Sequence, residues 1–322
     1  MTAGKWRAAC GLAMAAAATV AGAAQYPERP IRMVIPFPPG GSLDVVGRVV
    51  GHKLTEVLGQ NVLIDNRSGA SGNIGVEIVV RAPADGYTIL LNTLPLVVNP
   101  SLFAKLPFDV MRDLTPISLV AASPFVLVVH PSLPVKSTKE LIALARAKPG
   151  QINYASAGNG TNLHVAAERF KSLAKVDMTH VPYKGGGPAL TAVLAGEAQV
   201  GFISSVAAMP HVASGRLRAL GITSAKRSPA LPELVSVAES GLPGYEFTTW
   251  FAILGPRGLP EPVMATLHKG LLTALKSPDV RERLAKEGAE VIGSSPAELG
   301  TFLQSEIAKW AEVVKAAGLK AD

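Results

Sequence analysis

Short apolar runs alternate with longer stretches of 3.6-residue periodicity almost throughout the chain, the pattern of an α/β fold with mainly parallel sheets. Ile31–Ile35 reads as a strand. Leu43 to Leu58 reads as a helix with Val45, Val46, Val49, Val50, Leu54, Val57 and Leu58 on its apolar side. Val62–Ile64, Tyr87–Leu91 and Phe125–Val129 read as further strands, and "KSTKELIALARAKPG" as a helix stopped by Pro149-Gly150. "INYAS" (152–156) is a strand leading into "AGNG", and Thr161 stands where an N-cap belongs. The helix after it carries Leu163, Ala166, Phe170 and Leu173 at spacings of three and four.

Two of these units match in kind. "IRMVI–PFPPGG–S" and "INYAS–AGNG–T" are both strand, glycine loop and helix start, about 120 residues apart. They read as the openings of two similar lobes, with Ser42 capping the first helix. Chain crossings are expected near Ala122 and Thr248–Trp250, giving lobe 1 as 25–122 plus 249–322 and lobe 2 as 123–248. Near the C-terminus, Ser295-Pro296-Ala297-Glu298 is a capping box with proline at the first helical position. Leu299, Phe302, Leu303, Ile307, Trp310, Val313 and Val314 then form a packing stripe.

The first two dozen residues have a different character. Lys5 and Arg7 precede an Ala-rich apolar run ending in "AGAAQ". That is a signal peptide over 1–24, too short and Ala-rich for a spanning helix, so export with cleavage to the periplasm is expected. Cys10, the chain's only cysteine, lies inside it, which leaves the exported chain without disulfides, a thiol nucleophile or thiolate metal sites. The formal charge is +7; without Lys5 and Arg7 there are 29 basic against 24 acidic residues, about +5. A binder of small anions fits this balance. Nucleic acid does not, because the basic residues are scattered and aromatic residues make up 5%.

Catalytic machinery is not visible. A G-x-x-x-x-G-K-[ST] loop is absent, "GNGTNL" is short of a dinucleotide fingerprint, and "GASG" is one residue short of a hydrolase elbow. The six histidines show no metal-binding spacing, so no metal and no cofactor are expected. What stands out is three Gly-rich turns leading into helices: "PPGGS", "AGNGT" and "KGGGP". Helix N-termini bind anions through backbone N–H groups, and glycine allows close approach. Asp44 remains open between a helix-start carboxylate and a contact to a ligand hydroxyl or amine, since it would repel a docked anion.

Over nearly all of the chain beyond the signal segment, the sequence resembles the substrate-binding proteins of tripartite tricarboxylate transporters, the Bug family. The resemblance is carried by "YPERPIRMVIPFPPGGSLD", "NRSGASGNIG", "ADGYTILL", "KELIALARAKPGQINYASAGNGTNLH", "VPYKGGGPAL" and "EIAKWAEVVKAAG", among other stretches. It implies a two-lobed periplasmic binding protein fold of type II kind, its C-terminal helix packed on lobe 1, closing on a small organic carboxylate held by backbone groups and ordered waters. It places Pro38, Gly40, Gly41, Ser42 and Asp44 on the first lobe's wall, and Ser156, Gly158, Gly160, Thr161 and His164 on the second's. Tyr183, Lys184 and Gly185 fall on a neighbouring loop and Trp250 on the hinge side, where core packing competes with ligand contact. Two segments depart from the family pattern: Ile203 and Ser204 stand where relatives carry Asp and Asn, and "NTLPLVVNP" is apolar. Both are expected to face the cleft and to favour a less polar acid, aromatic acids included, over citrate or an amino acid.

The resulting expectation is a non-enzymatic, monomeric receptor that hands a carboxylate to membrane transporter subunits. A ligand-sensing adaptor for a membrane receptor is the alternative, and a periplasmic hydrolase a third reading that lacks a nucleophile–base pair in the sequence.

Overall fold

The computed structural model describes residues 26–228, 231–286 and 288–317; the segment read as a signal peptide, Cys10 included, lies outside them. The first elements are β1 (Ile31–Ile35), α1 (Ser42–Leu58), β2 (Val62–Asn66), a 3-10 turn at Ala70–Gly72, α2 (Asn73–Val80), β3 (Thr88–Asn92), α3 (Pro95–Leu102) and α4 (Val110–Asp113). The middle of the chain forms β4 (Leu114–Val129), α5 (Thr138–Ala147), β5 (Asn153–Ser156), α6 (Asn162–Ala174), β6 (Thr179–Pro182), α7 (Gly186–Ala195), β7 (Val200–Ser204), α8 (Ser205–Ala213) and β8 (Arg218–Ile222). The last elements are β9 (Thr248–Pro256), α9 (Glu261–Lys276), α10 (Pro278–Lys286), β10 (Glu290–Val291) and α11 (Pro296–Ala317).

The strands lie in the order β2-β1-β3-β9-β4-β7-β5-β6, with β8 and β10 also paired to β4. Parallel pairing joins β2-β1-β3 at one end and β7-β5-β6 at the other. Every antiparallel pair involves β4 or β9, the two connecting strands. β4 runs through both halves: Leu114–Pro124 pairs with β9 and Phe125–Val129 with β7 and β8. The apolar run predicts only the second part of this strand. Pro116 and Pro124 disguise the first part, whose register shifts between Pro116 and Ser118 and between Leu119 and Ala121. Proline donates no ladder hydrogen bond, so a strand holding two of them does not read as one.

Strand alternation divides the first half's packing. Ile31, Met33 and Ile35 pack with Val46, Val50 and Leu54 of α1, while Val34 packs with Val76 and Leu90 on the opposite face. Burying each of these α1 side chains contributes about 1.5–3 kcal/mol. The buried stripe of α1 is narrower than its periodicity implies: Val45 and Val49 are half-buried and Val57 lies exposed. α11 packs on α3 and β4, anchoring the C-terminal helix to the first half. Its capping box forms reciprocally, Ser295 N–H donating to Glu298 Oε2 at 2.8 Å and Glu298 N–H to Ser295 Oγ at 3.2 Å.

Candidate ligand cleft

Four helices begin at one small cavity of about 50 Å³ between the two halves. Gly41–Leu43 come from the start of α1, Thr93 and Pro95 from that of α3, Thr161–Leu163 from α6 and Gly186 from α7, with Phe37 and Ala157 completing the wall. None of the four N-cap residues (Gly41, Leu94, Thr161 and Gly185) makes a side-chain capping hydrogen bond. The starts of α1, α6 and α7 present first-turn N–H groups without intrahelical acceptors, whereas α3 opens on Pro95, which has no N–H, and its Leu96 and Val97 N–H groups donate to Thr93 O and Leu94 O. Three sets of donors and four positive dipole ends converge here. Each dipole end favours an anion by about 0.3–1 kcal/mol, and by up to ~2 kcal/mol where partly buried. Ser42 is the first residue of α1 rather than its cap. Thr161 does occupy the N-cap position of α6, but its hydroxyl donates to Gly158 O at 2.7 Å instead of capping.

A wider pocket of about 460 Å³ adjoins this cavity, sharing Phe37 and Ala157 with it. It is walled by Pro38, the Ser68–Gly72 turn, Gly158 and the Tyr183–Lys184–Gly185 loop. Lys184 is exposed, and Tyr183 donates to Glu197 Oε2 at 3.3 Å. Eight of the sequence-predicted residues line one of these two pockets, whereas Gly40, Asp44, Ser156, Gly160, His164, Ser204 and Trp250 line neither. Gly41, Ser42 and Thr161 reach the inner cavity, whereas Pro38, Gly158, Tyr183, Lys184 and Gly185 line the outer pocket.

Asp44 works within its own loop. Its carboxylate accepts from Gly40 N–H at 3.1 Å, Asn66 Nδ2 at 3.1 Å and Arg48 Nε at 2.9 Å. Asn66 Nδ2 also donates to Phe37 O, so a single network holds residues 37–44 in place. Burial opposes the charge on Asp44, but Arg48 and the hydrogen bonds from Gly40 and Asn66 outweigh it and leave the carboxyl below its usual pKa. Gly40 is thereby held by the network rather than facing the inner cavity.

The second glycine loop is tied in the same manner, by histidines. His164, buried in the first turn of α6, accepts from Gly160 N–H through Nδ1 at 3.1 Å. Its ring stacks on His180 at 4.2 Å, and His180 stacks on Tyr154 at 4.9 Å. His180 Nε2 lies 2.5 Å from Ser156 Oγ, which accepts from Gly158 N–H at 3.1 Å. Tyr154 donates to Glu168 at 2.6 Å, and Lys171 pairs with Glu168 at 2.8 Å. Burial depresses both histidines, and His180 falls to about 4 with His164 adding to the effect. The Ser156–His180 contact is a serine–histidine pair that the sequence does not reveal, since 24 residues separate its members. A base of pKa about 4 has little power to activate a hydroxyl near neutral pH, and Ser156 is fully buried. The pair therefore serves as a tie within the loop.

Direct contacts span the cleft. Asn162 Nδ2 donates to Thr93 Oγ1 at 3.1 Å and to Thr249 Oγ1 at 2.5 Å, and the two threonine hydroxyls lie 2.9 Å apart. Asn162 Oδ1 is buried with no partner. Ser71 Oγ donates to Asn159 O at 3.0 Å. Sequence reasoning did not single out Phe37, Thr93, Asn162 or Thr249; the available signal was position, Thr93 at the carboxyl end of β3 and Asn162 one residue past the N-cap. Of the two atypical segments, Thr93 and Pro95 reach the cavity, but Ile203 and Ser204 are not among its wall residues. Ser204 Oγ is buried without a partner at the end of β7. Trp250 lies under α11, its indole donating to Glu306 Oε2 at 3.3 Å and its ring edge-on to Phe302.

Residues 46–319 match the family model described as "Tripartite tricarboxylate transporter family receptor". The chain is 39% identical over 311 residues to the protein BugT of Bordetella pertussis, covering 96% of this chain and 95% of that one. The structure of R. palustris Rpa4515 with adipate superposes with a TM-score of 0.89 at 37% identity, covering 92% of this chain and 99% of that one. MatC from Rhodopseudomonas palustris with bound malate gives 0.84 at 33% identity, with coverages of 90% and 100%. With its two half-sheets meeting at a cleft, the chain has the two-lobed α/β fold of periplasmic binding proteins and belongs to the tripartite tricarboxylate transporter receptor family, the Bug proteins.

Proposed function

We propose that this chain is an exported, non-enzymatic receptor that captures a small organic carboxylate between its lobes and delivers it to membrane subunits of a tripartite tricarboxylate-type transporter. The observation that carries the reading is the convergence of four helix starts without side-chain caps on one cavity. An inner carboxylate would take the N–H groups of α1 and α6, and the remainder of the acid would extend into the outer pocket past Phe37. Phe37, Leu43, Pro95 and Leu163 make much of the inner wall apolar, which supports a less polar acid, aromatic acids included. Adipate and malate, bound by two structural neighbours, are the first acids to test. Both walls come from one chain, which supports action as a monomer.

The lobes are 25–122 plus 249–322 and 123–248, a division supported by the switch of β4 from β9 to β7 at Pro124/Phe125. Export to the periplasm rests on the N-terminal pattern of Lys5, Arg7 and the Ala-rich run. Thermal-shift screening of residues 25–322 against adipate, malate, citrate and benzoate tests the binding claim. An acid at 100 times its Kd stabilises by about 2.7 kcal/mol. A panel in which no carboxylate moves the melting temperature refutes it.

A further inference from the structure

The "KGGGP" turn lies against the opposite wall of the cleft. Its three glycines face the Pro38–Gly41 loop of the other lobe, Gly185 against the Pro38 ring and Gly186 and Gly187 against the loop's backbone. A Cβ placed on Gly185 would lie 2.7 Å from Pro38 Cδ, and one on Gly187 would lie 3.2 Å from Pro39 O. A Cβ on Gly186 would come 3.9 Å from Gly41 Cα. On the other side of the cavity a Cβ on Gly160 would meet the end of the Leu102 side chain, at Cδ1. Gly160 and Gly185 also have φ of +72° and +122°, so their backbone alone requires glycine. Gly187 is different. It sits in the first turn of α7 with ordinary helical geometry, where alanine is the better helix former by propensity. Local structure therefore does not explain its glycine, whereas the opposing Pro39 carbonyl does.

We propose that Gly187, with Gly185 and Gly160, is a positioning residue that sets how far the two lobes close and hence how firmly a ligand is enclosed. The missing side chains let the two glycine loops meet, which brings Ser71 to Asn159 and Asn162 to Thr93 and Thr249. A side chain at 187 props the jaws apart without touching the ligand or weakening either lobe. This inference rests on the ligand-cleft reading above, and its test is built to fail separately from it.

The test compares the parent with Gly187→Ala and Gly187→Leu in residues 25–322. Closure is read without requiring a ligand, from the distance distribution between spin labels on Met111→Cys in α4 and Leu173→Cys in α6, both at exposed positions. The fraction of molecules at the short separation seen in the parent should fall in Gly187→Ala and vanish in Gly187→Leu, while the melting temperature of the unliganded protein stays level or rises. Dissociation of adipate or malate should be at least 10-fold faster from Gly187→Leu. Identical distance distributions overturn the proposal whatever any acid does. If the distributions shift but no carboxylate binds even the parent, closure by Gly187 stands and the ligand reading falls. If Gly187→Leu melts well below the parent, Gly187→Ala decides.

Discussion

Asp44→Ala separates the two roles that the sequence leaves open for this carboxylate. The side chain is 5% exposed and accepts from Gly40, Asn66 and Arg48. Hydrogen bonds to a charged group contribute about 1.5–3 kcal/mol each. The Arg48 side chain is 55% exposed, which limits that ion pair to about 1 kcal/mol or less. Asn66 keeps the Phe37 carbonyl as an acceptor, so the main loss is the Gly40 tie and one of two Asn66 bonds. The expected destabilisation is about 3 kcal/mol, or a fall of roughly 5 °C in Tm by scanning calorimetry for a cooperative unit of about 300 residues. Asp44→Asn keeps the size and one acceptor and should lose about half as much. Ligand affinity falls in both variants as the loop loosens, in step with stability. An Asp44→Ala protein that melts with the parent yet no longer binds any acid would refute this account and make Asp44 a ligand group.

Three further outcomes follow from the packing and the titrating groups. Trp250→Phe removes one donor from the buried Glu306, which retains Trp310 Nε1 at 2.9 Å and Lys309 at 3.0 Å; urea denaturation should show a loss of about 1–2 kcal/mol with unchanged ligand affinity. Gly270→Ala gains helix propensity but sets a Cβ 2.7 Å from Leu58 Cδ2 between α9 and α1, so a net loss of about 1 kcal/mol is expected rather than a gain. His180 has its folded pKa lowered from 6.5 to about 4, so the unfolded chain binds the extra proton first as pH falls. Its contribution to stability is full above pH 6.5 and is lost between 6.5 and 4, at most about 3 kcal/mol and less because the ring is not fully buried. Charge on the packed neighbours Glu168 and Lys171 acts on the ring in opposite directions. Calorimetry from pH 7 to 4 should show a shallower decline for His180→Gln than for the parent.

Features carried by local periodicity were legible in the sequence. The α1 and α6 stripes, apart from Val57 and Leu173 at their exposed edges, the two glycine loops and the Ser295–Glu298 box are each set by neighbours within a few residues. The two caps expected at the glycine loops did not form: Ser42 is the first residue of α1, and Thr161 stands at the N-cap of α6 but spends its hydroxyl on Gly158. The first part of β4 was hidden by prolines that a register-shifted strand can accommodate. Most of the cleft chemistry was hidden by distance. Asn162 meets Thr93 and Thr249 across 69 and 87 residues, and no spacing in the chain advertises such a triad. The Ser204 position, read from its place in a family pattern, sits where β7 passes into α8, away from the cavity wall.

The 16-residue strand β4 has a consequence for how the molecule comes apart. One continuous strand supplies ladder bonds to β9 at one end and to β7 and β8 at the other. The apolar core likewise runs unbroken from Val34 and Leu90 in the first half to Tyr154 and Phe170 in the second. Losing either half strips partners from the strand and core that the other half depends on. The two halves of the sheet should therefore melt as one, in a single cooperative transition with neither half surviving alone.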